Sequence, residues 1–362
     1  MLVVLAPNAF ASTLTAAEAA DAMALGWRGV RPGDDVRIAP MADGGDGTLD
    51  VVAVAVRGAT RHTTEVADAR GHATSADWLL LPDGRALIES AQACGLHRLA
   101  PDQRSPRLAT TYGVGQLIAA AAASGVKQIV VGLGGSATVD GGAGMATALG
   151  HRLLRDDGNG VKVGAEYLTA LDRIEPRPPL GIPVVAAYDV TAPLLGPAGA
   201  VAGFAAQKGA DAEDCAVLDV ALETLAEVAE RDLDGGPWRD LPGAGAAGGL
   251  GFGLAAFAGA ELRSGAELIA NLIHLEPVIA NADIVITGEG RVDGWSQRAK
   301  ATGYVADLAR KRNVRVAAIT GSVVDGAGSA FDEVLTLGEQ GLANPREAVA
   351  AAAAALAKLL SG

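Results

Sequence analysis

Four strings in this chain hold residue types that could handle a phosphate. The longest is IVVGLGGSATVDGGAGM, residues 129–145, where an apolar run ends in Gly134, Gly135, Ser136, Thr138 and Asp140. Glycine lets a backbone approach a ligand closely, and the N–H groups at a helix N-terminus point at negative charge. A strand that runs into such a turn and then opens a helix predicts an anion cradle. MADGGDGT (41–48) adds Asp43 and Asp46, Asp189 closes another apolar run, and TGEGRVD (287–293) places Glu289 and Asp293 around Arg291. Carboxylates beside a phosphate cradle have two uses: to share Mg²⁺ with the phosphates, or to accept a proton from a hydroxyl. Lys208, in AAQKGA, and Lys300 are candidate phosphate ligands. Short loops also use Asp for turns and caps, so the reading rests on the set rather than on any one member.

The elements around these strings read as alternating strands and helices. Leu2–Ala6 is a short buried strand. Thr15 and Glu18 form a capping-box pattern ahead of Ala19, Ala22, Met23, Gly26, Trp27 and Val30 at helical spacing. Val36–Ala39 reads as the next strand, ending in MADGGDGT and a helix to about Arg57. The segments 76–81 and 85–88 flank Pro82-Asp83-Gly84, a hairpin signal. Thr110–Ser124 is an Ala-rich helix, Ile182–Ala187 a strand and Asp211–Arg231 a long amphipathic helix. Ser264–His274 reads as another helix. Strands at Asp283–Thr287, Val314–Thr320 and Glu333–Leu337 precede a closing helix, Arg346–Leu360. This pattern predicts an α/β fold of two domains. The first is a Rossmann-like parallel-sheet domain, residues 1–65 plus 265–362. The second is an inserted mixed α/β domain, residues 66–264. The strand and loop at 126–150 belong either to the insert or back in the first sheet. Ligands in such sheets sit beyond the carboxyl ends of the strands. The strand ends near Asn8, Asp43, Gly134, Asp189, Glu289 and Gly321 are therefore expected to converge on one composite site.

Bulk properties narrow the function classes. The chain has 362 residues, half of them apolar and one-fifth charged, which suits globular domains with large cores. Its net charge is −13 and it has no basic run. Nucleic acid is therefore not an expected partner, because phosphate-backbone affinity needs clustered Lys and Arg. No apolar run is long enough for a transmembrane helix and MLVVLAPNAF lacks a charged leader region, so a cytoplasmic protein without a membrane partner is expected. Cys94 and Cys215 have no metal-ligand spacing and read as free thiols. The five histidines are scattered, and the P-loop, zinc-protease, nucleophile-elbow and protein-kinase signatures are absent. Gly243, Gly245 and Gly248 match a dinucleotide fingerprint, but they follow a Pro-containing loop instead of a strand.

Taken together, PNAF with LTAAEAA, MADGGDGT, TTYGVGQLI, GLGGSATVDGGAGM, YDVTAPLLG, AAQKGA, PGAGAAGGLG, GAELRSG and ITGEGRVD span nearly the whole chain. In these strings the sequence resembles the first class of glycerate kinases, the bacterial glycerate 2-kinases. The resemblance implies ATP-dependent phosphorylation of D-glycerate to 2-phosphoglycerate with Mg²⁺, in a cleft between two α/β domains. The small-molecule partner is then glycerate or a similar hydroxy acid, and a homodimer is open. On this reading Gly134, Gly135, Ser136, Thr138, Asp140 and Lys208 bind the nucleotide, and Asp43 and Asp46 help to place the metal. Arg291 clamps carboxylate or phosphoryl oxygens, Asp189 or Asp293 accepts the hydroxyl proton, and Glu289 completes the catalytic set. The chain departs from the family pattern at Ala11 (usually lysine), at Val139 and Ala192 (usually asparagine), and at Gly294, Trp295, Ser296, Ala299 and Thr302. These changes keep two further readings open: a kinase of another small hydroxy acid or alcohol, or a non-catalytic ligand-sensing relative.

Overall fold

A computed structural model describes residues 1–10, 13–292, 300–324, 326–338 and 340–360. Asp293 and the other residues to 299 lie outside the described residues, as does Ala11. Thirteen strands fall among the described residues: β1 (Leu2–Leu5), β2 (Asp35–Ile38), β3 (Thr60–Ala67), β4 (Ala73–Leu80), β5 (Arg85–Glu89), β6 (Gln128–Leu133), β7 (Arg152–Leu154), β8 (Arg173–Glu175), β9 (Val184–Tyr188), β10 (Glu261–Ser264), β11 (Ile284–Val292), β12 (Arg315–Val323) and β13 (Glu333–Thr336). The chain divides into two compact units. One holds Met1–Asp43, Asp50–Val56 and the chain from Gly265 onward; the other holds Gly44–Leu49 and Arg57–Ser264. No helix among the described residues is long and apolar enough to cross a membrane.

The first unit is built on a five-stranded sheet in the order β13-β12-β11-β1-β2, parallel throughout. Parallel strands need helical crossovers that cover the sheet, which explains their continuous apolar runs. Helix Ala16–Val30 begins where the sequence pattern places it. The Glu18 amide donates to Thr15 Oγ1 at 3.2 Å and the Thr15 amide donates to Glu18 Oε2 at 2.9 Å. Its Ala19, Ala22, Met23 and Trp27 are buried with Ala353, Leu356 and Ala357 of the closing helix Pro345–Leu359 and with Val3, Leu5 and Ile286 of the sheet. Met41, Leu275, Ile279, Val285 and Val305 form a second core in the same unit. β11 does not stop at Thr287. It stays paired through Val292, with Glu289 opposite Thr320 and Arg291 opposite Ser322. Glu289 and Arg291 therefore stand on a strand, two residues apart on one face, and not in the loop expected from the glycines around them. The reason is β12, which runs on to Val323 and offers backbone partners along the whole stretch.

The second unit carries a six-stranded sheet ordered β10-β9-β6-β5-β4-β3, with β7 and β8 as a separate antiparallel pair. β10, β9, β6 and β5 are parallel, while β5-β4 and β4-β3 are antiparallel. The strand of the central string, β6, sits between β5 and β9. It is in the inserted sheet and does not return to the first one. β3 was missed by the sequence pattern, which puts the change of domain near residue 65. Its Thr60–Ala67 pairs residue for residue with β4, so the chain from Arg57 belongs with the second unit.

Inside β6, Gly132 marks a close backbone approach. A Cβ there would lie 2.4 Å from the carbonyl oxygen of Gly44, and a Cβ on Gly44 (φ +98°) would lie 2.7 Å from that of Ala187. The start of the 44–48 loop is thus pressed onto the faces of β6 and β9. Gly132→Ala is expected to lower stability by at least ~2 kcal/mol, because backbone and not a flexible side chain must give way. Gly33→Ala, with nothing near its added carbon, is the control. Urea unfolding with equal midpoints for the two variants would show that the contact is slack.

Candidate active site

In the second unit two glycine loops lie backbone against backbone. A Cβ on Gly134 would fall 2.6 Å from Gly45 Cα, and one on Gly135 (φ +63°) 2.3 Å from Asp46 Oδ1. The central loop is tied on its other side by the segment after β5: the Leu96 amide donates to the Gly135 carbonyl and the Ala137 amide to the Cys94 carbonyl, both at 2.7 Å. Glu89, at the end of β5 and 2 % exposed, accepts from the Gly47 and Leu49 amides at 3.3 and 3.2 Å. A carboxylate at the start of helix Thr48–Ala55 also meets the favourable end of its dipole. Sequence reasoning missed Glu89, although an acid closing the apolar run RALIE is a readable signal. Asp46 stays half-exposed, 3.3 Å from His97 Nδ1. Asp189, directly after β9, stands beside Gly134: a Cβ on that glycine would be 3.4 Å from Asp189 Oδ2.

Asp140 is engaged within the protein. It is 1 % exposed, and its carboxylate accepts from the Thr111 amide (2.8 Å), Thr111 Oγ1 (3.0 Å), the Gly142 amide (3.1 Å) and the Gly144 amide (3.2 Å). The start of helix Ala143–Leu149 is therefore occupied by the protein's own anion, and the expected anion cradle at that helix terminus is filled. Burial pushes the Asp140 carboxyl above its ordinary range, against the hydrogen bonds from Thr111, Gly144 and Gly142. Lys208 is likewise interior, at 4 % exposed. Its Nζ donates to Ser136 Oγ at 2.9 Å and to the Thr138 carbonyl at 2.7 Å. Thr138 is fully buried. Of the six residues expected to hold the nucleotide, Asp140, Thr138 and Lys208 lie within the wall of the loop, whereas Gly135 is exposed.

The GAGAAGG segment has a packing role. A Cβ on Gly248 would meet the Thr138 carbonyl oxygen at 1.9 Å, and the Gly141 amide donates to the Gly248 carbonyl at 3.1 Å. These glycines admit the central loop, so the dinucleotide reading of Gly243, Gly245 and Gly248 is set aside. Val139 (0 % exposed) and Ala192 (1 %) abut the same segment: Val139 Cα lies 2.9 Å from where a Gly248 Cβ would stand, and the Gly245 amide donates to the Ala192 carbonyl. Both family departures thus sit in apolar packing, where an unpaired amide would be costly.

In the first unit, Asp43 is 8 % exposed, and its Oδ2 accepts from Asn8 Nδ2 at 3.0 Å and from the Ala301 amide at 3.4 Å. Glu289 is 5 % exposed, with Lys300 Nζ 4.0 Å from its Oε2, while Arg291 is exposed. Asn8 follows β1 and its amide donates to the Gly288 carbonyl, so these groups gather at the carboxyl ends of neighbouring parallel strands. Asp43 and Asp46, which read as one metal motif, belong to different units, because the chain passes from one to the other at Gly44. Among the described residues no three His, Cys, Asp or Glu side chains are grouped to hold a metal.

Comparison with known proteins is consistent along the whole chain. The sequence model of the glycerate kinase family matches residues 3–361. Glycerate 2-kinase of Escherichia coli (strain K12) is 41 % identical over 333 residues, covering 91 % of this chain and 87 % of that protein. Glycerate kinase of Bacillus subtilis (strain 168) is 40 % identical over 328 residues, 89 % of this chain and 85 % of that protein. The crystal structure assigned to glycerate kinase 2 from Salmonella typhimurium LT2 superposes with a TM-score of 0.81 at 39 % identity, covering 100 % of this chain and 98 % of that one.

The interior role of Asp140 is directly testable. Asp140→Asn keeps the shape but replaces one acceptor oxygen by a donor facing donors, and is expected to cost roughly 2–3 kcal/mol in urea unfolding. A variant as stable as the parent would mean that the four hydrogen bonds contribute little.

Proposed function

We infer that this chain, which belongs to the glycerate kinase family, transfers a phosphoryl group from ATP to glycerate. The observation that carries this reading is the end-to-end family match, together with the apposition of the central loop on the 44–48 loop. The buried, apolar settings of Val139 and Ala192 remove these two departures as arguments for a different acceptor, since neither replacement exposes a lost polar contact.

The finer assignments are these. The acceptor is D-glycerate and the product 2-phosphoglycerate. Backbone amides around Gly134, Gly135 and Ser136 hold the nucleotide phosphates, with Thr138, Asp140 and Lys208 shaping the loop beneath them. Mg²⁺ takes one or two carboxylates and completes its shell with water and phosphate oxygens, so it needs no three-carboxylate cluster; Asp46, half-exposed, and Asp43 are each a candidate to place it. When bound, the ion would neutralise phosphate charge. Arg291, exposed on its strand, presents a planar fork to the glycerate carboxylate or the moving phosphoryl group. The Lys300–Glu289 pair holds the neighbouring strand end. The substrate hydroxyl oxygen bonds to the terminal phosphorus as the bond to the bridging oxygen breaks. ADP leaves, and the hydroxyl proton passes to a carboxylate, Asp189 or Asp293. Such transfer depends mainly on positioning and charge neutralisation.

Protein incubated with ATP, Mg²⁺ and D-glycerate is expected to release ADP in step with a phosphorylated acid, and phosphorus NMR will place the group on carbon 2. Arg291→Ala is expected to lower kcat/KM by about 10²-fold, as when one charge-stabilising donor is lost from an active site. ADP release no faster with glycerate than with ATP alone would overturn the reading.

A further inference from the structure

Lys208 is the only buried lysine or arginine among the described residues. A buried ammonium costs several kcal/mol of desolvation unless it is well paired, so its placement calls for a reason. It closes a short 3-10 turn, Ala206–Lys208, which ends at Gly209 (φ +99°). Asp211 then caps the long helix Ala212–Asp232. The side chain thus leaves a fixed point in the fold and reaches two acceptors in the central loop that are two residues apart, Ser136 Oγ and the Thr138 carbonyl. The charged and titratable groups facing it are Asp189, Asp140 and the Cys94 thiol.

The chemistry of the contact fixes the role of Ser136. An ammonium has three donors and no acceptor, so Ser136 must accept from Lys208. Its own O–H is then set to donate, and no acceptor for that proton is found among the described residues. A hydroxyl aligned as a donor, over a buried cation, in a loop of glycines, is suited to a phosphate oxygen and unsuited to a metal ion or a cationic group.

We propose that Lys208 is a positioning residue for nucleotide binding: by donating to Ser136 and Thr138 it fixes the central loop and turns the Ser136 hydroxyl toward a phosphate of ATP. This rests on the reading of the central loop as the nucleotide side of a glycerate kinase. Lys208 acts through the loop, so its effect falls on the nucleotide and not on glycerate. Burial brings the Lys208 ammonium down to about 8, with Cys94, Asp189 and Asp140 opposing the shift. The amine is charged at pH 7 and loses its charge as the pH rises through that value.

The test uses calorimetric binding of Mg·ADP, which needs no turnover, alongside steady-state kinetics. Lys208→Met is expected to weaken ADP binding at least tenfold while the KM for glycerate changes less than twofold. Ser136→Ala should weaken binding similarly, and the double variant should be no worse than Lys208→Met, because the two act as one unit. Parent affinity should fall between pH 7.5 and 9, whereas Lys208→Arg, which keeps its charge, should give a flat profile. If Lys208→Met or Lys208→Arg does not fold, Ser136→Ala and the parent pH profile carry the test. Unchanged ADP affinity in Lys208→Met, equal losses for both substrates, additive losses in the double variant, or a parent that binds no ADP would each overturn the proposal. A parent that binds ADP but does not turn over glycerate, with binding lost in Lys208→Met, would overturn the glycerate reading alone and uphold the role of Lys208.

Discussion

The apposition of two glycine loops in the second unit is the constraint on which its site depends. Gly44 and Gly45 meet Gly132 and Gly134 at distances that admit no Cβ, and Asp46 lies where a side chain on Gly135 would be. Sheet positions normally favour branched side chains, and β6 gives that up at Gly132 in order to take the loop against its backbone. In return, carbonyls, amides and one aspartate from two distant strings are held within a few ångström of each other. Glu89 anchors one loop from below through the amides of residues 47 and 49, while Lys208 and Asp140 anchor the other. Each anchor is a charged side chain with its hydrogen bonds met inside the protein, the condition under which buried charge is tolerated.

Electrostatics gives a second reason for this arrangement. The chain carries a net charge of −13, and the two proposed ligands, ATP and glycerate, are both anions. Its long-range field works against both ligands, although salt screens much of that beyond about 10 Å. Attraction has to be local and preorganised. In the second unit the buried Lys208 donates into the central loop; in the first unit Arg291 is exposed on β11, and Lys300, at the start of helix Ala301–Lys311, lies 4.0 Å from Glu289. The acids near them are mostly engaged: Asp140 by Thr111 and two glycine amides, Asp43 by Asn8 and Ala301, and Glu289 by Lys300.

The parts of the fold that could be read from the sequence were those set by local rules. The Thr15–Glu18 box, the hairpin at Pro82-Asp83-Gly84, the apolar run of β6 and the long helix beginning at Asp211 all have short-range causes. What the sequence hid was set by neighbours. β3 has no clean apolar alternation because five of its eight residues are exposed on an edge strand, and only β4 defines it. The strand through GEGRV is hidden by its glycines and revealed by β12. Asp140 and Lys208 look like ligands for a phosphate because an aspartate or lysine in a glycine loop has the same composition whether it faces in or out. Only burial separates the two cases.

The same ambiguity governs the departures from the family pattern. Val139 and Ala192, read as missing polar contacts, are buried against one glycine segment, Gly243–Gly251, and both face backbone there. An asparagine at either place would need hydrogen-bond partners inside that packing, and replacing it by an apolar residue of smaller demand can be neutral when the partner is lost as well. Both changes lie on one packed segment that supports the central loop. They therefore fit a chain that keeps the family reaction on a repacked scaffold, with Ser136, Gly134 and Gly135 unchanged above it.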